Sequence, residues 1–147
     1  MDRGLAVGLT AAVGGLIALQ APINSMLGKA VGTWQAAAVS FAVGTVLLIS
    51  IATLAGGGWS ELGEVRSVAW YYLLGGVLGA AYVTSVLVTV RTLGAGGVTA
   101  ATIAGQLAMS LVVDHLGILG VAKHPVTAAR VLGVLLLAAG TYLVVRE

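Results

Sequence analysis

The sequence predicts an all-α integral membrane protein with five transmembrane helices, and three observations carry that prediction. Hydrophobic residues make up 59% of the chain and charged residues only 8%, where a soluble domain of ordinary make-up carries about 25% charge. The apolar residues fall into five runs, at about 4–28, 35–54, 69–90, 97–118 and 127–145, each near the roughly 20 residues that cross a hydrocarbon core of about 30 Å. None of the runs alternates as a barrel strand does, which leaves helices to satisfy the backbone in lipid. At 147 residues the chain is read as one five-helix domain. A net charge of +2 is too small to suggest nucleic acid as a partner. The absence of cysteine excludes disulfides, thiol catalysis and thiolate metal sites.

The first span begins with the apolar run 5–19, preceded by Arg3. No small-x-small cleavage site follows it, so it is read as a retained span and not as a signal peptide. Its second half, LQAPINSMLGKAVG at 19–32, contains Pro22, which removes a backbone donor and crowds the preceding turn. A kink or interruption is expected there. Gln20 and Asn24 flank the proline at four-residue spacing. They either satisfy the freed backbone groups or, as in broken transporter helices, face a binding cavity. The segment 29–34 is a tight turn, and Trp34 is an interfacial anchor, as are Trp59, Trp70, Tyr71, Tyr72 and Tyr142 near other span ends.

In the second span Ser40 and Gly44 form a small-xxx-small pair suited to close helix approach. The long connector 55–68 carries the charges Glu61, Glu64 and Arg66. The third span aligns Gly75 with Gly79, and Gly76 with Ala80 and Thr84, a face expected to press against another helix. Tyr82 and Ser85 lie deeper than the interfacial aromatics, so their hydroxyls need partners. A short turn at 91–96 leads to the fourth span, and the connector 121–126 holds Lys123, His124 and Pro125.

The fourth span, TIAGQLAMSLVVDHLG at 102–117, concentrates the polar chemistry. Gln106, Ser110 and Asp114 recur every four residues and therefore share one helix face. A polar stripe in lipid is either helix-to-helix glue or a functional surface. Asp114 and His115 point roughly 100° apart on a helix, so they do not converge. No nucleophile-base arrangement, paired carboxylates, metal cluster or phosphate loop accompanies them, and no enzyme, cofactor or metal is expected.

The runs ALQAPINSMLGKAVG, AAAVSFAVGT, LLGGVLGAAYV and TIAGQLAMSLVVDHLGILG, in that order along nearly the whole chain, resemble the YdcZ-type small five-helix proteins of the drug/metabolite transporter superfamily, DMT, with its EamA-like members. The resemblance implies a half-transporter that pairs antiparallel with a second copy or with an oppositely inserted homologue. It places Gln20, Asn24, Ser40, Gln106, Ser110 and Asp114 at family-like polar positions. The related small multidrug exporters use a glutamate in the middle of the first span, and here that span has no acid.

Charge placement bears on the pairing. Arg3, Arg66, Lys123 and Arg130 fall on one side of the membrane and Lys29, Arg91 and Arg146 on the other, a four-to-three split that gives the positive-inside rule almost nothing to act on. Dual insertion and an antiparallel homodimer are expected. Inversion brings Asp114 of one chain to the side of Arg91 of the other, as a salt bridge, a gate, or two independent interfacial charges.

The expected function is secondary transport of a small polar or zwitterionic solute across the cytoplasmic (inner) membrane by alternating access. Gln20, Asn24, Ser40, Tyr82, Ser85, Gln106 and Ser110 are the expected substrate-binding residues, with Asp114 and Arg91 in proton coupling or gating. A permanent cation would want a carboxylate at the midplane, and the spans hold only Asp114, near an end. The alternatives are a membrane assembly module whose small and amide residues serve packing, or a passive channel.

Overall fold

The computed structural model describes residues 2–56 and 58–146, and among these its regular structure is entirely helical. Helix α1 runs Arg3–Val31 and α2 Thr33–Leu54. Two 3₁₀ segments, Ser60–Arg66 and Trp70–Leu73, lead into Leu74–Leu116, a helical stretch broken at Gly94. Its two parts, 74–93 and 95–116, are α3 and α4, and Ala128–Val145 is α5. The stretches Arg3–Val31, Thr33–Leu54, Trp70–Leu116 and Ala128–Val145 are long and apolar enough to cross a membrane. At 47 residues the third, divided at Gly94, has the length of two crossings. The protein is an all-α membrane protein.

Local chemistry sets these boundaries. Asp2 caps α1, its Oδ2 accepting from the Gly4 and Leu5 amides at 3.0 and 3.3 Å. The helix is about 43 Å long, a length that reaches beyond the hydrocarbon core into both headgroup regions. It runs uninterrupted through Pro22, so of the kink or interruption expected there the interruption does not occur. A transmembrane helix tolerates proline at the loss of one backbone bond, here the one that Ala18 would accept. Gly32, at φ 94°, ends α1 and begins α2 without an intervening loop. Gly94 supplies the second such break at φ 67°, ψ 171°, so the expected turn at 91–96 contracts to a single residue. The long connector is partly ordered: Trp59 Nε1 donates to Thr53 Oγ1 at 3.0 Å, beside the Ser60–Arg66 3₁₀ segment.

The chain forms two compact units, one of Leu19–Arg91 and one of the residues up to Ala18 with those from Thr92 onward. In the first, Ala21, Asn24, Ser25 and Gly28 are the buried positions of α1, a stripe at helical spacing. Ala36, Ala37, Val83 and Leu87 form the core of this unit, with Leu27 and Tyr82 packed against it. Gly28 lies at a close approach between helices, where a Cβ would stand 3.1 Å from Leu87 Cδ2, 3.2 Å from Arg91 Nη2 and 3.7 Å from Ala36 Cβ. The glycine face of α3 behaves differently from the expectation. A Cβ on Gly75 or Gly76, or on Gly44 of α2, would meet nothing within 4 Å, and one on Gly79 meets only the Phe41 ring, at 3.5 Å. Small residues close the α1 stripe, while most of the small-residue face of α3 is uncovered.

In the second unit α4 and α5 run antiparallel, held by contacts along their length. A Cβ on Gly97 would stand 3.5 Å from Val145 Cγ2. Thr141 Oγ1 donates to the Ala100 carbonyl at 3.1 Å, and Arg130 Nη1 meets Asp114 Oδ2 at 3.1 Å. The connector between them turns through positive φ at Gly117, Leu119 and Gly120 and is tied back by the His124 amide donating to the Asp114 carbonyl at 2.8 Å. Thr127 caps α5 by accepting from the Arg130 amide at 3.3 Å.

Candidate functional site

Helix α4 contains no proline and only one interior glycine after Gly97, Gly105, so its four-residue polar spacing is preserved as a straight stripe. Gln106, Ser110 and Asp114 line one open groove of about 540 Å³, with Met109, Val113 and Val121 as its apolar walls. That volume is of the size that holds a small organic ligand. Gln106 and Ser110 are exposed and their side chains engage no other described residue, so an amide and a hydroxyl are free to bond a solute. The carboxylate at the end of the stripe is half-buried and already paired: Asp114 and Arg130 form an ion pair through one nitrogen and one oxygen, with side chains 28% and 39% exposed.

Arg130 is a site residue that the sequence reading missed, leaving it among the cations of the connector. A signal was present. With α4 and α5 antiparallel across a short connector, an acid near the end of one helix and a base in the first turn of the next fall opposite each other. Within the chain Arg130 is the partner of Asp114.

The other predicted residues lie in the Leu19–Arg91 unit. Asn24 is 6% exposed. Neither it nor Gln20, which is exposed, bonds the backbone freed by Pro22 among the described residues. Among the described residues no fully enclosed side-chain nitrogen or oxygen lacks a partner, so the Asn24 amide, which bonds no described residue, keeps some access to its surroundings. Ser25, also buried at 8%, extends this polar position and was not singled out from sequence. Ser40 is half-buried on α2, and Tyr82 packs against the core cluster. Ser85 donates to the Ala81 carbonyl at 2.8 Å, which satisfies its proton within α3. It lines a second, mainly apolar groove of about 670 Å³ with Trp34, Phe41, Val77 and Thr84. Arg91 closes α3 beside Gly28. Among the described residues no group of three or more His, Asp or Glu side chains is placed to hold a metal ion.

The family model described as "Putative inner membrane exporter, YdcZ" matches residues 5–143. No curated protein and no solved structure matches the chain. The family is described as one of inner membrane exporters, and a multi-pass inner-membrane location agrees with the apolar helices. Matching over almost its full length, the chain belongs to the YdcZ family of the drug/metabolite transporter superfamily.

Proposed function

We propose that the protein exports a small polar solute by alternating access, as one half of an antiparallel pair of five-helix domains. The observation that carries this reading is the groove along α4, where Gln106, Ser110 and Asp114 bring hydrogen-bonding groups together on an otherwise hydrocarbon helix. Polar groups kept in a membrane helix without intramolecular partners are favourable only if water, protein or a ligand meets them. Asn24 is the second solute-contacting group we assign, because its amide is held in a buried stripe yet is free of internal bonds.

The pairing is supported by the uncovered glycine face of α3. Gly75 and Gly76 leave open space of the kind that admits a close-packed partner helix. Together with the balanced flanking charges, this favours a second copy inserted the other way up. The native chain has no cysteine, so single-cysteine variants can be crosslinked in the membrane. Links between opposite ends of the spans are expected; exclusively same-end links would remove the antiparallel arrangement. A reporter fused to the carboxy terminus should appear on both sides of the membrane, and one-sided placement would exclude dual insertion. Transport itself is tested by solute flux in sealed proteoliposomes, with Asn24→Ala and Gln106→Ala expected to reduce it without disturbing the pair.

A further inference from the structure

The exporter reading leaves Arg130 and its pairing with Asp114 unassigned, and the geometry of the pair is that of an unfinished site. One Arg130 nitrogen meets one Asp114 oxygen at 3.1 Å, and both side chains are partly exposed. A guanidinium has five N–H donors in a planar fork, and a carboxylate accepts on two oxygens. Most of the bonding capacity of both groups is therefore unused by their mutual contact. Asp114 also ends the groove that Gln106 and Ser110 line, so a solute lying along the stripe arrives at the Asp114 carboxylate, which Arg130 pairs.

We infer that this pair is the head-group site for a zwitterionic solute carrying an ammonium and a carboxylate close together, which inserts between Asp114 and Arg130. The inference rests on the exporter reading and names its substrate class. The carboxylate of the solute takes the Arg130 fork, a geometry suited to two parallel hydrogen bonds. The ammonium takes Asp114. One protein ion pair is exchanged for two protein-to-solute pairs, and the net charge of the site does not change. A plain amine or a plain carboxylate lacks this balance, since engaging one member of the pair strips the other of its counter-ion in a poorly solvated place. Selection for neutral overall charge with two opposite ends is thus built into the site. The solute's remaining part lies against Met109, Val113 and Val121, with Gln106 and Ser110 offering the hydrogen bonds.

The test uses the full chain in lipid nanodiscs and three matched probes: leucine, isoamylamine, which lacks its carboxylate, and isocaproate, which lacks its ammonium. Ligand binding to the folded state raises Tm with concentration. Leucine is expected to do so in the native protein and the two single-charge probes are not. Asp114→Asn, which frees Arg130, should weaken leucine about tenfold or more and acquire a response to isocaproate. Arg130→Gln, which frees Asp114, should lose leucine similarly and acquire a response to isoamylamine. The Asp114→Asn/Arg130→Gln double variant, with neither charge, should respond to none of the three. These gains of binding are not produced by a pair that only braces two helices. Absence of any leucine shift, equal shifts from all three probes, or a double variant that responds like the native chain would overturn the inference. If either single variant does not fold, the native series and the double variant decide it. Flux of other polar solutes with leucine inert would remove this site and leave the exporter standing. Leucine binding with no flux of any solute would remove the exporter and leave the site.

Discussion

Replacing Gly28 is expected to separate the packing of the Leu19–Arg91 unit from its chemistry. In alanine the new methyl would stand 3.1 Å from Leu87 Cδ2 and 3.2 Å from Arg91 Nη2, a few tenths of an ångström inside ordinary contact. Both atoms are ends of flexible side chains and can retreat. The strain is offset by the roughly 1 kcal/mol by which alanine exceeds glycine in helix propensity, so Gly28→Ala should fold about as well as the native chain. Gly28→Val directs two further methyls into space that Leu87, fully buried, and Ala36 already occupy. Overpacking of this kind costs about 1–3 kcal/mol, and valine recovers less helix propensity than alanine does. SDS-titrated unfolding in mixed micelles, followed by circular dichroism, measures the difference, with Gly133→Val in α5 as control because a Cβ there meets nothing within 4 Å. A Gly28→Val variant as stable as Gly133→Val would refute the close approach of α1 to α2 and α3.

Three further outcomes are expected. Gly94→Ala forces a Cβ onto φ 67° and should destabilise the break between α3 and α4 by about 1–2 kcal/mol in the same titration, an effect absent for Gly105→Ala within α4. Asp114→Asn alone should cost roughly 1–3 kcal/mol, between the limits for exposed and buried pairs, and adding Arg130→Gln should return part of it; a double variant less stable than the sum of the singles would contradict a pairwise bond. Gly76→Leu should leave unfolding of the monomer unchanged while abolishing disulfide crosslinks between copies, and unaltered crosslinking would place the partner copy elsewhere.

Much of the fold can be read from the chain because lipid imposes a blunt requirement: apolar runs of crossing length must be helices. The same bluntness hides detail. The run 97–118 announces a span, but its beginning rests on the φ of Gly94, and glycines at 96 and 97 make the break equally plausible in sequence. Pro22 signals an interruption, yet a helix inside a membrane accommodates it with one lost bond. Glycine spacing in α3 matches a packing face, and the close packing is instead at Gly28 of the buried α1 stripe, against Leu87, Arg91 and Ala36. Four-residue periodicity placed Gln106, Ser110 and Asp114 together correctly because it depends on one helix alone. Arg130 was missed because its role depends on two helices and the connector that turns between them.

The central claim, that the α4 groove carries a solute, is tested most directly by counterflow. Proteoliposomes loaded with a mixture of unlabelled polar metabolites are diluted into each labelled compound in turn, and the native chain is compared with Gln106→Ala and with Leu136→Ala on the exposed side of α5. At least one compound should accumulate with the native protein and equally with Leu136→Ala. Removing the Gln106 amide should lower the rate about tenfold, the worth of one hydrogen bond in a poorly solvated groove. No accumulation of any compound, or the same rate for Gln106→Ala as for the native chain, would contradict the claim.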